Sequence, residues 1–114
     1  MITKETAPYQ KFIQEFTRCS AVCYECLNAM LDEPDINARK RCLKLLLECA
    51  RMCEMSAFVM SLDGKFVKRH CELCAEMCDV CAQECALFED ICSRQCSEEL
   101  RRCADECAEM LHRT

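Results

Sequence analysis

The sequence predicts an all-α protein, an antiparallel up-down-up-down four-helix bundle with cysteines lining its core. Three observations carry that prediction. Apolar residues and cysteines recur at alternating steps of three and four along most of the 114 residues, the spacing that keeps side chains on one helix face. The chain contains one glycine and two prolines, too few turn formers for a loop-rich fold. Alternation with a period of two, the mark of a half-buried strand, is nowhere sustained beyond a few residues.

The elements follow in order. Thr6 and Pro8 mark a helix start, a hydroxyl N-cap followed by a proline in the first turn. Phe12, Phe16, Cys19, Cys23, Cys26 and Met30 then form one stripe, which Asp32-Glu33-Pro34-Asp35 breaks. A second helix from about residue 35 carries Cys42, Leu46, Cys49, Cys53 and Met60 and ends at Asp63-Gly64. The third has the strictest pattern, Cys71, Cys74, Cys78, Cys81 and Cys85. Glu89-Asp90 is the next break, with Asp90 an N-cap for a fourth helix bearing Cys92, Cys96, Leu100, Cys103 and Cys107. Four helices of about 22–28 residues, joined by short turns, make residues 1–114 a single Cys-rich domain.

Composition excludes most other classes. Fifteen cysteines are the density of a disulfide scaffold, but such scaffolds are short and loop-rich, and an odd count cannot pair fully within one chain. A hydrophobic share of 52% argues against disorder, and a net charge of −5 argues against nucleic acid as a partner. No apolar stretch approaches the length of a membrane span, and MITKETAPYQKF lacks the apolar region of a secretion signal. Read as a complete chain, this is a cytoplasmic protein whose thiols stay reduced.

Every cysteine occupies a place where an ordinary bundle carries Leu, Ile or Val. Cys packs as a small hydrophobe, but Leu buries more apolar area, so fifteen replacements sacrifice core stability for sulfur. The pairs Cys19/Cys23, Cys49/Cys53, Cys74/Cys78, Cys81/Cys85, Cys92/Cys96 and Cys103/Cys107 each place two thiols one turn apart. Cys23/Cys26, Cys71/Cys74 and Cys78/Cys81 link them into a ladder. Thiolates select copper(I), zinc or iron–sulfur clusters. Copper(I) accepts two or three thiolates, which suits a continuous ladder. Zinc asks for closed quartets, and clusters for local runs such as CxxCxxC. Copper(I) is the best match, with a capacity on the order of one ion per thiol or slightly fewer. Loading then releases protons, because buried thiols are neutral before the ion arrives.

The stretch His70-CELCAEMCDVCAQEC, ending at Cys85, and CSRQCSEELRRCADEC, from Cys92 to Cys107, resemble the copper storage protein family. The resemblance implies a four-helix bundle storing many copper(I) ions on interior cysteines, a cytosolic member of that family, and a homotetramer. The family's last helix often reads CxxxCxxCxxxC, whereas this chain has Leu100 between Cys96 and Cys103, which implies a gap and a smaller load. A copper chaperone is the partner such a store would meet.

In this topology Phe12, Phe16, Phe58 and Phe66 share one end, where some of them are expected to plug the core. Met30, Cys26, Cys42, Cys85 and Cys92 share the other, where Met30 is expected to be a soft first contact for copper. The acidic turns there read as helix caps. His70 and His112 read as surface residues, and Met52, Met55, Met77 and Met110 as packing. Leu43 and Leu47, on the side away from Cys49, predict an oligomer interface. Arg39-Lys40-Arg41 and Arg101-Arg102 read as solvated faces. The rival class is a thiol redox protein, disfavoured because its activated cysteine belongs at an exposed helix N-terminus. No catalytic constellation is visible, so an enzyme is not expected.

Overall fold

A computed structural model describes residues 3–112. Four helices, α1 (Gln10–Met30), α2 (Lys40–Ser61), α3 (Val67–Cys85) and α4 (Ile91–His112), account for most of it, and no strand occurs among the described residues. They are 21, 22, 19 and 22 residues long, slightly shorter than the pattern suggested. Helix α1 packs against α2 and α4, and α3 packs against the same two. The result is a square of antiparallel neighbours, an elongated body of 49 × 25 × 19 Å. Helices α1 and α4 meet less closely than the other neighbouring pairs.

The helix ends explain the bounds. Thr6 does not cap α1: its hydroxyl bonds Thr3 Oγ1 at 2.8 Å, and a 3-10 turn at Ala7–Tyr9 holds Pro8 before the helix begins at Gln10. Helix α2 starts at Lys40 and not near residue 35, because Ile36–Arg39 forms a second 3-10 turn. That turn directs Arg39 inward. Helix α2 ends in a Schellman motif, with Gly64 N–H on Val59 O at 2.8 Å and Asp63 N–H on Met60 O at 3.1 Å. Asp63, and not Gly64, takes the left-handed conformation, at φ 50°. Gly64 eases the close approach, since a Cβ there would stand 3.1 Å from Val59 O. Asp90 caps α4 as expected, its Oδ2 accepting Ser93 N–H at 3.0 Å.

Inward stripes of the four helices make the core, and small residues let the helices approach. Ala50, Ser56, Ala57, Ala82, Ser97 and Ala104 are all buried, and Ser97 Oγ donates to Ala82 O at 2.9 Å across the α3–α4 seam. Tyr24 O–H donates to Glu54 Oε1 between α1 and α2.

Both ends of the bundle are closed. Phe12, Phe16, Met60 and Met110 are fully buried at the end shared by the start of α1 and the end of α4. Phe58 and Phe66 are not part of that plug, being 58% and 57% exposed. At the other end Arg39 is only 5% exposed, which corrects its reading as a solvated residue. Its Nε donates to Asp35 Oδ1 at 2.7 Å and its Nη1 to Asp90 Oδ1 at 2.8 Å. The guanidinium also lies 4.4 Å from the centre of the Phe88 ring.

Candidate metal centre

All fifteen cysteines are free thiols, and fourteen of them are fully buried. The 3-and-4 spacing accounts for this directly, since each helix presents its sulfur stripe to the bundle axis. Cys92 is the exception. It lies near the start of α4, half-buried against the α1–α4 seam, and so stands at the rim of the column and not within it.

The shortest sulfur–sulfur approaches run between helices. Cys42 and Cys85 are 3.6 Å apart, Cys49 and Cys78 3.6 Å, and Cys53 and Cys74 3.7 Å, all across the α2–α3 seam. Of the one-turn pairs read from sequence, Cys74/Cys78 comes close, at 4.0 Å. Larger groups draw on three or four helices. The sulfurs of Cys19, Cys53, Cys78 and Cys103 lie within 4.8 Å of one another, one from each helix. Those of Cys74, Cys103 and Cys107 form a second group, and those of Cys26, Cys85 and Cys96 a third. Cys103 belongs to two groups, so neighbouring sites share a donor.

The spacing suits metal bridging. With metal–thiolate bonds of about 2.3 Å, two sulfurs in line through one ion stand about 4.6 Å apart, and two ligands of a tetrahedral site somewhat less than 4 Å apart. The groups, with all their sulfurs within 4.8 Å of one another, fall close to that range.

Electrostatics explains how the thiols are held without metal. Burial pushes the Cys71 thiol up to about 12. Within the network a thiolate is tolerated where neighbouring thiols turn toward it: Cys26, Cys42 and Cys81 pull Cys85 down to about 5. Cys103 and Cys23 lower Cys19, Cys23 and Cys53 lower Cys49, and Cys103 and Cys107 lower Cys74. The partners move the other way: Cys19 raises Cys23, Cys85 raises Cys42, and Cys49 raises Cys81.

Two aliphatic residues interrupt the column. Leu46 and Leu100 are fully buried on the same stripes, and Leu100 lies one turn from both Cys96 and Cys103. Met30, expected at a mouth, is fully buried. The buried set also includes Ser93, which accepts from Arg39 Nη1 at 3.3 Å and which the cysteine pattern did not single out. His70 is half-buried, its Nδ1 enclosed without a hydrogen-bond partner, and His112 is exposed. Leu47 is 49% exposed, as an outward position should be, whereas Leu43 packs partly against the core.

A helical bundle whose axis is lined by buried thiols is a soft-metal-binding protein. The copper storage protein family matches residues 5–112, and the chain belongs to that family. A cysteine-rich protein of Bacillus subtilis (strain 168), YhjQ, is 34% identical over 67 residues, 59% of this chain and 62% of its own length; the matched stretch thus spans less than two thirds of that relative. Among solved structures, the Cu(I)-bound copper storage protein BsCsp3 of Bacillus subtilis superposes with a TM-score of 0.86, at 28% identity over 90% of this chain and 97% of its own. A cytosolic copper storage protein from Streptomyces lividans, holding five coppers, gives a TM-score of 0.88 at 28% identity, covering 95% of each chain.

Proposed function

We propose that the chain is a single-domain store for many copper(I) ions, held by the thiolates of its core. The observation that carries this reading is the sharing of Cys103 between the Cys19/Cys53/Cys78/Cys103 and Cys74/Cys103/Cys107 groups. Shared donors suit an ion that accepts two or three thiolates and let sites follow one another without a break. The ligands proposed are Cys19, Cys23, Cys26, Cys42, Cys49, Cys53, Cys71, Cys74, Cys78, Cys81, Cys85, Cys92, Cys96, Cys103 and Cys107, with Met30 as an interior thioether. The load is on the order of one ion per thiol or slightly fewer, and Leu46 and Leu100 account for part of the shortfall. The reading is of a binding protein and not an enzyme, acting in the cytoplasm, where thiols stay reduced and where a copper chaperone can supply the ion. It assembles as a homo-oligomer, a tetramer by resemblance. The exposed Leu47, Met55 and Leu73 on α2 and α3 support such an interface.

The test is an anaerobic titration of reduced protein with copper(I) against a competing chelator. Uptake on the order of ten or more equivalents, with protons released into a weakly buffered solution, is the expected result. Saturation after one or two equivalents sinks the proposal. Zinc is the second reading, favoured by the four-sulfur group Cys19/Cys53/Cys78/Cys103, whose spacing also fits one closed tetrahedron. A parallel zinc titration that outcompetes copper(I) selects it.

A further inference from the structure

The closed ends of the bundle raise the question of where an ion reaches the column. One end is filled by Phe12, Phe16, Met60 and Met110, and at the other Met30 is buried and Arg39 is tied to Asp35 and Asp90. The side of the bundle differs. Between α1 and α4, the least closely packed neighbouring pair, lies a groove of about 440 Å³ whose lining includes Arg18, Glu25, Cys92, Cys96, Glu99 and Arg102. It contains the one thiol of the fifteen that solvent reaches appreciably, Cys92, and at its floor the fully buried Cys96.

The floor connects to the interior. Cys96 belongs to the three-sulfur group with Cys26 and Cys85, all within 4.8 Å. Cys26 reaches back to the rim, its S–H donating to Cys92 O at 3.9 Å, and Cys85 stands 3.6 Å from Cys42 on α2. Soft donors therefore lead from the groove floor at Cys96 through Cys26 and Cys85 to Cys42 on the opposite side of the bundle.

We infer that copper(I) is loaded through this lateral groove, with Cys92 as the first ligand and the Cys26/Cys85/Cys96 group as the first interior site. The inference rests on the storage reading above and adds the route. The incoming species is a copper(I)–thiolate complex. The sulfur of Cys92 forms a bond to copper, a bond from copper to one donor thiolate breaks, and the proton of Cys92 passes to the departing thiolate. Cys96 then displaces the second donor thiolate in the same way. Copper remains univalent throughout, so no oxidant or reductant is consumed. Glu25 and Glu99 give the mouth acidic flanks, and Arg18 and Arg102 restrain Glu99, at 3.5 and 2.5 Å.

The test compares initial rates of loading from a copper(I)–glutathione complex in air-free, fully reduced protein. Cys92→Ser is expected to load at least tenfold more slowly while its final capacity falls by about one ion. Gln95→Ala alters the wall of the same groove without removing a thiol and is expected to keep the wild-type rate and capacity. Circular dichroism establishes that both variants are folded. A wild-type rate in Cys92→Ser overturns the route, and equal slowing in Gln95→Ala overturns the assignment of Cys92 as first ligand. Failure of the wild-type protein to take up many equivalents would instead sink the storage reading itself, so the two failures are distinguishable.

Discussion

The two ends of the sulfur column are closed by opposite kinds of chemistry. At one, Phe12 and Phe16 with Met60 and Met110 exclude water by apolar bulk. At the other, a single guanidinium is held by Asp35, Asp90, Ser93 and the face of Phe88. An apolar plug is stabilised by area and shape and loses heavily when cut back. A polar clamp is stabilised by matched partners, and its strength follows the charge state of those partners. The lesson is that a thiol core of low apolar content leaves its ends to supply closure.

Four measurements break or sharpen that contrast. Phe16→Ala carries the largest expected effect, a loss of about 3–5 kcal/mol in the stability of the reduced apo-protein, read by chemical denaturation, with copper capacity unchanged. Arg39→Ala comes next, at about 2 kcal/mol, because Asp90 loses its cation while still partly buried. A loss as large as that of Phe16→Ala would show that the clamp also fills space.

Leu100→Cys restores the CxxxCxxCxxxC spacing from Cys96 to Cys107. It is expected to raise capacity by about one ion and to cost the apo-protein about 1–2 kcal/mol in lost apolar burial. Mass spectrometry of the loaded protein under native conditions, with denaturation of the apo form, reads both.

The smallest effect concerns pH. Partial burial works to raise the Asp90 carboxyl, but Arg39 and Ser93 outweigh it and hold the group below its usual value. A carboxylate with a depressed folded value contributes stability that is complete above its unfolded pKa of about 4 and is lost as the pH falls through the folded value. Asp90→Asn keeps the cap and removes the charge. It is expected to be about 1 kcal/mol less stable than wild type at pH 7, with the gap narrowing as the pH falls below about 4. A gap that does not narrow at all between pH 7 and pH 3 would refute the charge argument.

Sequence made the column legible because helical periodicity is local: steps of three and four place a side chain whatever its chemistry. It also exposed Leu100 as an interruption. Three features were hidden for three physical reasons. Arg39 lay in a run of cations that reads as solvated, and its partner Asp90 is 51 residues away. Cys92 continues the α4 stripe, but it sits where two helices diverge, and the width of a seam is a tertiary property. Met30 was expected at an open mouth but is fully buried, because nothing local announces that this end of the bundle is closed. The sulfur groups were likewise beyond reach, since Cys42, Cys49 and Cys53 find their nearest partners on α3 and not on their own helix.

The turn after α2 has a consequence for how this chain can vary. Its Schellman geometry, with Asp63 left-handed and Gly64 against Val59 O, fixes where α3 begins. One residue inserted within that turn and propagated into α3 would rotate its stripe by about 100°, carrying Cys71, Cys74, Cys78, Cys81 and Cys85 together off the axis. The length of that short hairpin is therefore as constrained as the thiols themselves.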